Sequence, residues 1–257
     1  MLLPYCLPLP VMSHFCMLLN LSEHSAVDYR VFSSDGQAIH AGRTCAILGG
    51  MFDSLDPQTI AIVLGVIFVS TAVHEVMHAY VALRLGDDLA HSRGRITLNP
   101  LKHIDLFLTL ILPLVLMLLG STPILAAKPV PININRLRGR EMGMALVGVA
   151  GPLTNLALAC LTALVLRNVA LMGISLEVAF YFFYINIGLF VFNMLPLPPL
   201  DGSRVLYAVA PEPVQRFMEQ VESYGVVVII IFVSLFYGVI GPLILSWQQA
   251  IARFLIG

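Results

Sequence analysis

The stretch His74-Glu75-Val76-Met77-His78 lies inside a long apolar run from Thr59 to Leu85. Two imidazoles and a carboxylate are expensive in hydrocarbon, so such a cluster in a membrane segment marks a functional site. On a helix, residues four apart share a face, so His74 and His78 can both reach one metal ion. Glu75 is turned about 100° from His74 but stays close to a water beside that metal, where it can take a proton. Zinc suits two imidazoles and one carboxylate, with a fourth position left open. Bound zinc acidifies a water and polarises a carbonyl. Three fixed residues recur by chance at roughly one position in 8000, so the pattern alone is weak. A His pair snorkelling at a helix end, or hydrogen-bonded within a bundle, would also produce it. Burial in an apolar helix counts against that alternative, because unpaired polar groups are strongly disfavoured there. The third ligand must come from elsewhere in the chain.

Composition agrees with a membrane setting. Of 257 residues, 58% are hydrophobic and only 11% charged, where soluble domains carry about 25%. Mean hydropathy is +0.89. The expected fold is an α-helical polytopic membrane protein in a lipid bilayer. It has about four to five transmembrane helices, a re-entrant segment and a small interfacial β-hairpin. With 14 basic and 15 acidic residues, nothing points to a nucleic-acid partner. Cysteines stand at 6, 16, 45 and 160 with no CxxC, so neither a disulfide framework nor a thiolate metal site is expected. Cys160 reads as a small packing residue in an apolar helix.

Residues 1–21 are apolar but hold Pro4, Pro8 and Pro10, and no Lys or Arg precedes Arg30. A signal peptide would want a positive start, and the prolines oppose a regular helix. Residues 22–50 are polar and without periodicity. Residues 1–50 are therefore expected to be an N-terminal extension, peripheral or disordered, ahead of a membrane-embedded domain at 51–257. Met51 is a more orthodox start, and one hypothesis is that translation begins there. Peptides from residues 1–50 in the natural protein would refute it.

Asp56-Pro57 is a helix start. The first long helix is expected from about Pro57 to Leu85 and is stopped by Gly86-Asp87-Asp88. The histidines fall in its C-terminal third, so the metal should lie below one membrane face. Residues 89–104 (LAHSRGRITLNPLKHI) are too charged for a span, and Arg95-Ile96-Thr97-Leu98 alternates like a strand. A hairpin at the interface is expected. His91 and His103 lack a partner at ligand spacing and read as interfacial polar groups. Residues 106–119, interrupted by Pro113, are short for a span and fit a re-entrant segment. Lys128-Pro129-Val130-Pro131-Ile132 reads as extended.

A second long helix is expected from Glu141 to Val169, with Gly151-Pro152-Leu153-Thr154-Asn155 near its middle. Gly143, Gly148 and Gly151 allow close helix approach, and Pro152 should kink it. Asn155 either accompanies a packing kink or hydrogen-bonds across to the first helix or the hairpin. A third helix, about Leu176 to Leu195, runs into Pro196, Pro198 and Pro199 and then Asp201. Broken backbone at membrane depth must line a cavity or be buried in protein. That puts Asp201 at the rim of a polar pocket, unless it merely caps a helix. Residues 203–224 are polar and expected at the surface. Val226 to Trp247 should be a further span, followed by a short amphipathic tail.

His78 and Asp201 can share a metal only if they lie near the same membrane face. An even number of spans must then separate them, so 106–119 must re-enter rather than cross. In that topology Arg84, Arg93, Arg95, Lys102, Lys128, Arg136, Arg138, Arg140, Arg204 and Arg216 share the active-site side. Only Arg30, Arg43, Arg167 and Arg253 fall opposite. By the positive-inside rule the active-site side is cytoplasmic.

With these motifs in hand, the sequence resembles the site-2 protease family of intramembrane zinc metalloproteases over roughly residues 52–247. The resemblance rests on His74-Glu75-x-x-His78, Gly151-Pro152-x-x-Asn155 and Asn193-x-x-Pro196-x-Pro198-Pro199-Leu200-Asp201-Gly202. Leu98-Asn99-Pro100-Leu101-Lys102-His103-Ile104-Asp105 and Lys128-Pro129-Val130-Pro131 look like a compact prokaryotic branch without PDZ or CBS domains. In that branch a Pro and a Gly-Thr usually follow His-Ile-Asp, where this chain has Leu106, Phe107 and Leu108 before Thr109. The resemblance implies one zinc per chain held by His74, His78 and Asp201, with Glu75 as general base. It also implies that Asn193 helps hold the substrate backbone or the developing oxyanion. The implied activity is hydrolysis of peptide bonds in or near the transmembrane segments of single-span, membrane-anchored substrates, in the inner membrane. A metal or ion transporter using the same His and Asp residues is the alternative. It would want polar residues along a whole path, and often repeats; here they cluster near one face and no repeat is visible. Nothing in the sequence specifies an oligomeric state.

Overall fold

The computed structural model describes residues 31–32, 38–39, 57–97, 99 and 130–256. The expected re-entrant segment at 106–119, His103 and most of residues 1–56 lie outside them. The chain forms two compact units, Met1–Ala61 and Ile62–Gly257. In the first, β1 (Val31–Phe32) pairs antiparallel with β2 (Ala38–Ile39), Val31 opposite Ile39.

The helices begin with α1 (Pro57–Arg84). Proline at its first position has no N–H to leave unsatisfied. The helix stops at Gly86, whose φ of +107° suits glycine, and the Asp87 N–H returns to the Ala82 carbonyl at 2.9 Å. A short turn, α2 (Leu89–Ser92), follows. Further on come a 3-10 turn at Ile134–Arg136, α3 (Arg140–Asn168) and α4 (Ile174–Asn193). Two short helices, α5 (Gly202–Val209) and α6 (Glu212–Ser223), lead to α7 (Val226–Ile256).

Among the described residues, α1, α3 and α4 are long and apolar enough to cross a membrane. Successive contacts show that α1 and α3 are antiparallel. Arg138 N–H meets the Leu85 carbonyl, the His78 ring meets Val147, and the His74 ring meets Asn155. At the opposite end Arg167 reaches the carbonyl of Leu255 in α7. Ala159 and Ala163 of α3 pack on Phe183, Ile187 and Val191 of α4 and on Ala252 of α7. Small residues on one helix and large ones on its neighbour bring the backbones close. Leu153, Leu161 and Leu164 of α3 are exposed. An apolar outer face of this kind suits hydrocarbon rather than water.

Two expectations need correcting. The start of the predicted hairpin is helical at Leu89–Ser92, because the buried Asp87 carboxylate accepts the Leu89 N–H at 3.1 Å and favours a turn. Arg95–Thr97 pairs in no ladder among the described residues. The tail after Trp247 is also not separate: α7 continues to Ile256, since no proline or glycine interrupts the chain from Ile244 to Ile256.

Asp87 also ties the returning chain to α1. Its second oxygen accepts the Asn133 N–H at 2.6 Å. Val130 and Ile132 then pack on Ala79 of α1 and Ala90 of α2. The amphipathic pair α5 and α6 is held by Arg204, which grips both oxygens of Glu222, and by Tyr207, whose hydroxyl donates to Glu219 at 2.5 Å. That bond pushes the Tyr207 pKa up to about 12.

Candidate metal centre

His74 and His78 sit one turn apart on α1, both buried. Each has a partner that can only accept a proton. Nδ1 of His78 donates to the Val147 carbonyl at 2.7 Å. Nδ1 of His74 donates to Oδ1 of Asn155 at 2.5 Å. A neutral imidazole carries a single N–H, so both Nε2 atoms present bare lone pairs. They lie 3.0 Å apart. Oδ2 of Asp201 is 3.0 Å from the His74 Nε2 and 3.3 Å from the His78 Nε2.

With both imidazoles neutral, three lone pairs converge. Such an array is repulsive unless a proton or a metal cation occupies its centre. Donor atoms about 2.0–2.1 Å from a tetrahedral zinc are about 3.3 Å from one another, and the observed triangle is close to that. The donor set and the Nδ1–H bonds to oxygen acceptors are those expected of histidine ligands. The residues present fit a divalent metal of zinc's size and preference. Among the described residues this is the one such group of histidines and carboxylates.

Glycine makes the approach possible. A β-carbon on Gly151 would stand 2.6 Å from the His74 Nε2 and closer still to His78. One turn earlier, a β-carbon on Gly148 would meet Arg204 at 2.8 Å and the Asp201 carbonyl at 3.0 Å. One bare face of α3 thus accepts the histidines of α1 and the Asp201 turn together. Pro152 is fully buried beside them and has no N–H to place in that crowded contact.

Asp201 follows Leu195–Leu200, where Pro196, Pro198 and Pro199 end the α4 path; the Pro198–Pro199 bond is cis. Asp201 stands at the N-cap of α5, but its side chain makes no cap bond. It turns to the imidazoles instead.

Glu75 lines a cavity of about 200 Å³ with His78, Met144, Asp201 and Arg204. Its Oε2 accepts the Val130 N–H at 3.2 Å. The Val130 N–H therefore positions the carboxylate beside the donor triangle. Asn193 is placed differently: its amide donates to the Leu189 carbonyl at 3.0 Å within its own helix, and it does not line the cavity. His91 is exposed on α2.

Reasoning from sequence passed over Ser70, Asn186, Asp87 and the Val130 N–H. Asn186 was visible as an amide inside an apolar helix, and Ser70 as a hydroxyl one turn before His74. Val130 acts through its backbone, which leaves no mark on residue type.

Comparison with known proteins agrees with this chemistry. The pattern of "Peptidase family M50" matches residues 167–236, which include Asn193 and Asp201. The chain is 39% identical over 188 residues to "Putative zinc metalloprotease YwhC" of Bacillus subtilis, covering 70% of this chain and 81% of that protein. It is 30% identical over 174 residues to "Putative zinc metalloprotease Rip2" of Mycolicibacterium smegmatis, covering 63% of this chain and 62% of that protein. A third relative, "Putative zinc metalloprotease MJ0611" of Methanocaldococcus jannaschii, is 34% identical over 147 residues, covering 57% and 67%. No solved structure matches the chain. With a metal-binding triad, a neighbouring carboxylate and a relative matched over four-fifths of its length, the chain belongs to peptidase family M50, the site-2 protease family of metalloproteases.

Proposed function

We propose that the protein is an intramembrane zinc metalloprotease that hydrolyses peptide bonds in or near the transmembrane segments of single-span substrates. The observation that carries this reading is the placement of Glu75 in one cavity with His78 and Asp201, on a helix apolar enough to span a bilayer. His74, His78 and Asp201 hold the metal. Zinc, when bound there, polarises the scissile carbonyl and acidifies a water. Glu75 takes the proton of the attacking water and delivers it to the leaving amine. Arg138, Arg140 and Arg204 lie at the same end of the bundle as the triad, which supports a cytoplasmic-facing site in an inner membrane.

A helical substrate must unwind before its amides are reachable. Asn193 is assigned to the substrate backbone or the developing oxyanion.

The test compares wild type with Glu75→Gln on a panel of single-span substrates in detergent, with zinc assayed in both. The expected result is retained zinc and a loss of cleavage of about 10²–10⁴-fold. Equal cleavage by both proteins would reject the assignment of Glu75. Zinc binding without cleavage by wild type would favour the transporter alternative.

A further inference from the structure

The metal centre is backed by a chain of buried polar groups running toward mid-membrane. Ser70, Asn155 and Asn186 are each fully buried, and they come from α1, α3 and α4. Ser70 and Asn155 lie close to the middle of their helices. Polar groups at that depth are costly unless paired, so the chain demands a physical reason.

Its bonds have a direction. Nδ2 of Asn186 lies 2.8 Å from the Phe182 carbonyl and 2.9 Å from the Ser70 hydroxyl. The carbonyl can only accept, so the amide nitrogen of Asn186 must face it. Oδ1 of Asn186 is then left facing Asn155, 2.8 Å from its Nδ2. Asn155 must present its nitrogen there, and a weaker contact from that nitrogen reaches the Ser70 carbonyl at 3.5 Å. The remaining Asn155 atom, Oδ1, faces Nδ1 of His74. An oxygen at that place requires the proton on Nδ1, which leaves Nε2 bare toward Asp201 and His78.

We infer that Asn186 is a positioning residue for the metal centre: anchored on the Phe182 carbonyl, it sets the orientation of Asn155 and thereby the tautomer of His74. Ser70, on the same face of α1 as His74, closes the ring of bonds. Without Asn186 only the long contact to the Ser70 carbonyl opposes a flip of the Asn155 amide. A flipped Asn155 would present N–H donors to His74 and favour the tautomer with its proton on Nε2, where a metal must bind. The inference rests on the metalloprotease reading only in taking the triad as a metal site.

The experiment uses the full chain in detergent. Zinc affinity is measured by competition with a chromophoric chelator, and the ligand field by the visible absorption of the cobalt(II) form. Wild type, Asn186→Leu and Asn186→Asp are compared, with thermal unfolding recorded for each. Asn186→Leu removes the acceptor and should weaken zinc by about 10–100-fold and alter the cobalt spectrum. Asn186→Asp keeps an oxygen for Asn155, and when protonated still donates toward Phe182. It should hold zinc within about threefold of wild type, with an unchanged spectrum. A purely structural role would not separate the two in that order. Equal affinity in wild type and Asn186→Leu, or equal loss in both variants, overturns the inference. If the leucine variant does not fold, the aspartate variant decides alone, a loss beyond about tenfold overturning it. Wild type that binds no zinc overturns the metal site itself, a different failure.

Discussion

A β-carbon placed on Gly151 would stand 2.6 Å from the Nε2 atom of His74, inside any real contact distance. Gly151 is therefore part of the metal centre although it contributes no ligand atom. Gly151→Ala should move the imidazoles apart and weaken zinc by at least about tenfold, with an overpacking cost of about 1–3 kcal/mol. Chelator competition and thermal unfolding measure the two effects. Gly65→Ala is the control, because nothing lies within 4 Å of its added carbon; an equal response in both would count against the steric account.

Asp87 places the Glu75 carboxylate from a distance. It holds the N–H groups of Leu89 and Asn133, and the same segment supplies the Val130 N–H to Glu75. Asp87→Ala leaves two part-buried donors without their carboxylate, at up to about 1–3 kcal/mol each. The unfolding midpoint should drop and kcat should fall more than KM rises. An unchanged kcat in folded Asp87→Ala would separate the clamp from the chemistry.

Zinc binding should weaken as pH falls. Protons and metal compete for the same Nε2 lone pairs. The sign is fixed: a protonated imidazole has no lone pair to offer, so affinity falls as pH falls. A titration of zinc affinity from alkaline to acid pH should show a steep fall in which up to two protons replace one metal. A flat profile would show that the imidazoles are not ligands.

The Arg204–Glu222 pair should matter little to stability. It is bidentate but its two side chains remain about a quarter to a third exposed, so solvent screens it. Glu222→Gln should cost under about 1 kcal/mol, and 1 M salt should shrink that difference. Arg204 also lines the cavity that holds Glu75, so Arg204→Ala should raise KM more than it lowers kcat. A several-fold loss of zinc in Glu222→Gln would show that the α5–α6 pair bears on Asp201 more strongly than its contacts indicate.

The sequence by itself determined the apolar helices suited to a membrane, the ends of α1, and the candidate metal ligands. These are local properties: apolar run length, Pro57 and Gly86 at the helix ends, and the four-residue spacing of His74 and His78. The breaking of α4 before Asp201 was equally legible, because Pro196, Pro198 and Pro199 admit no helix. Only the tertiary structure decided which atoms meet. Val147 acts through its carbonyl and Val130 through its N–H, and backbone groups are the same in every residue. Gly148 and Gly151 look like any small residues on a packing face until the histidines and the Asp201 turn are seen pressed against them. Asn186 stands 31 residues from Asn155 and 116 from Ser70, so no local pattern links them. The direction of their hydrogen bonds, on which the inferred His74 tautomer rests, exists only once three helices are packed side by side.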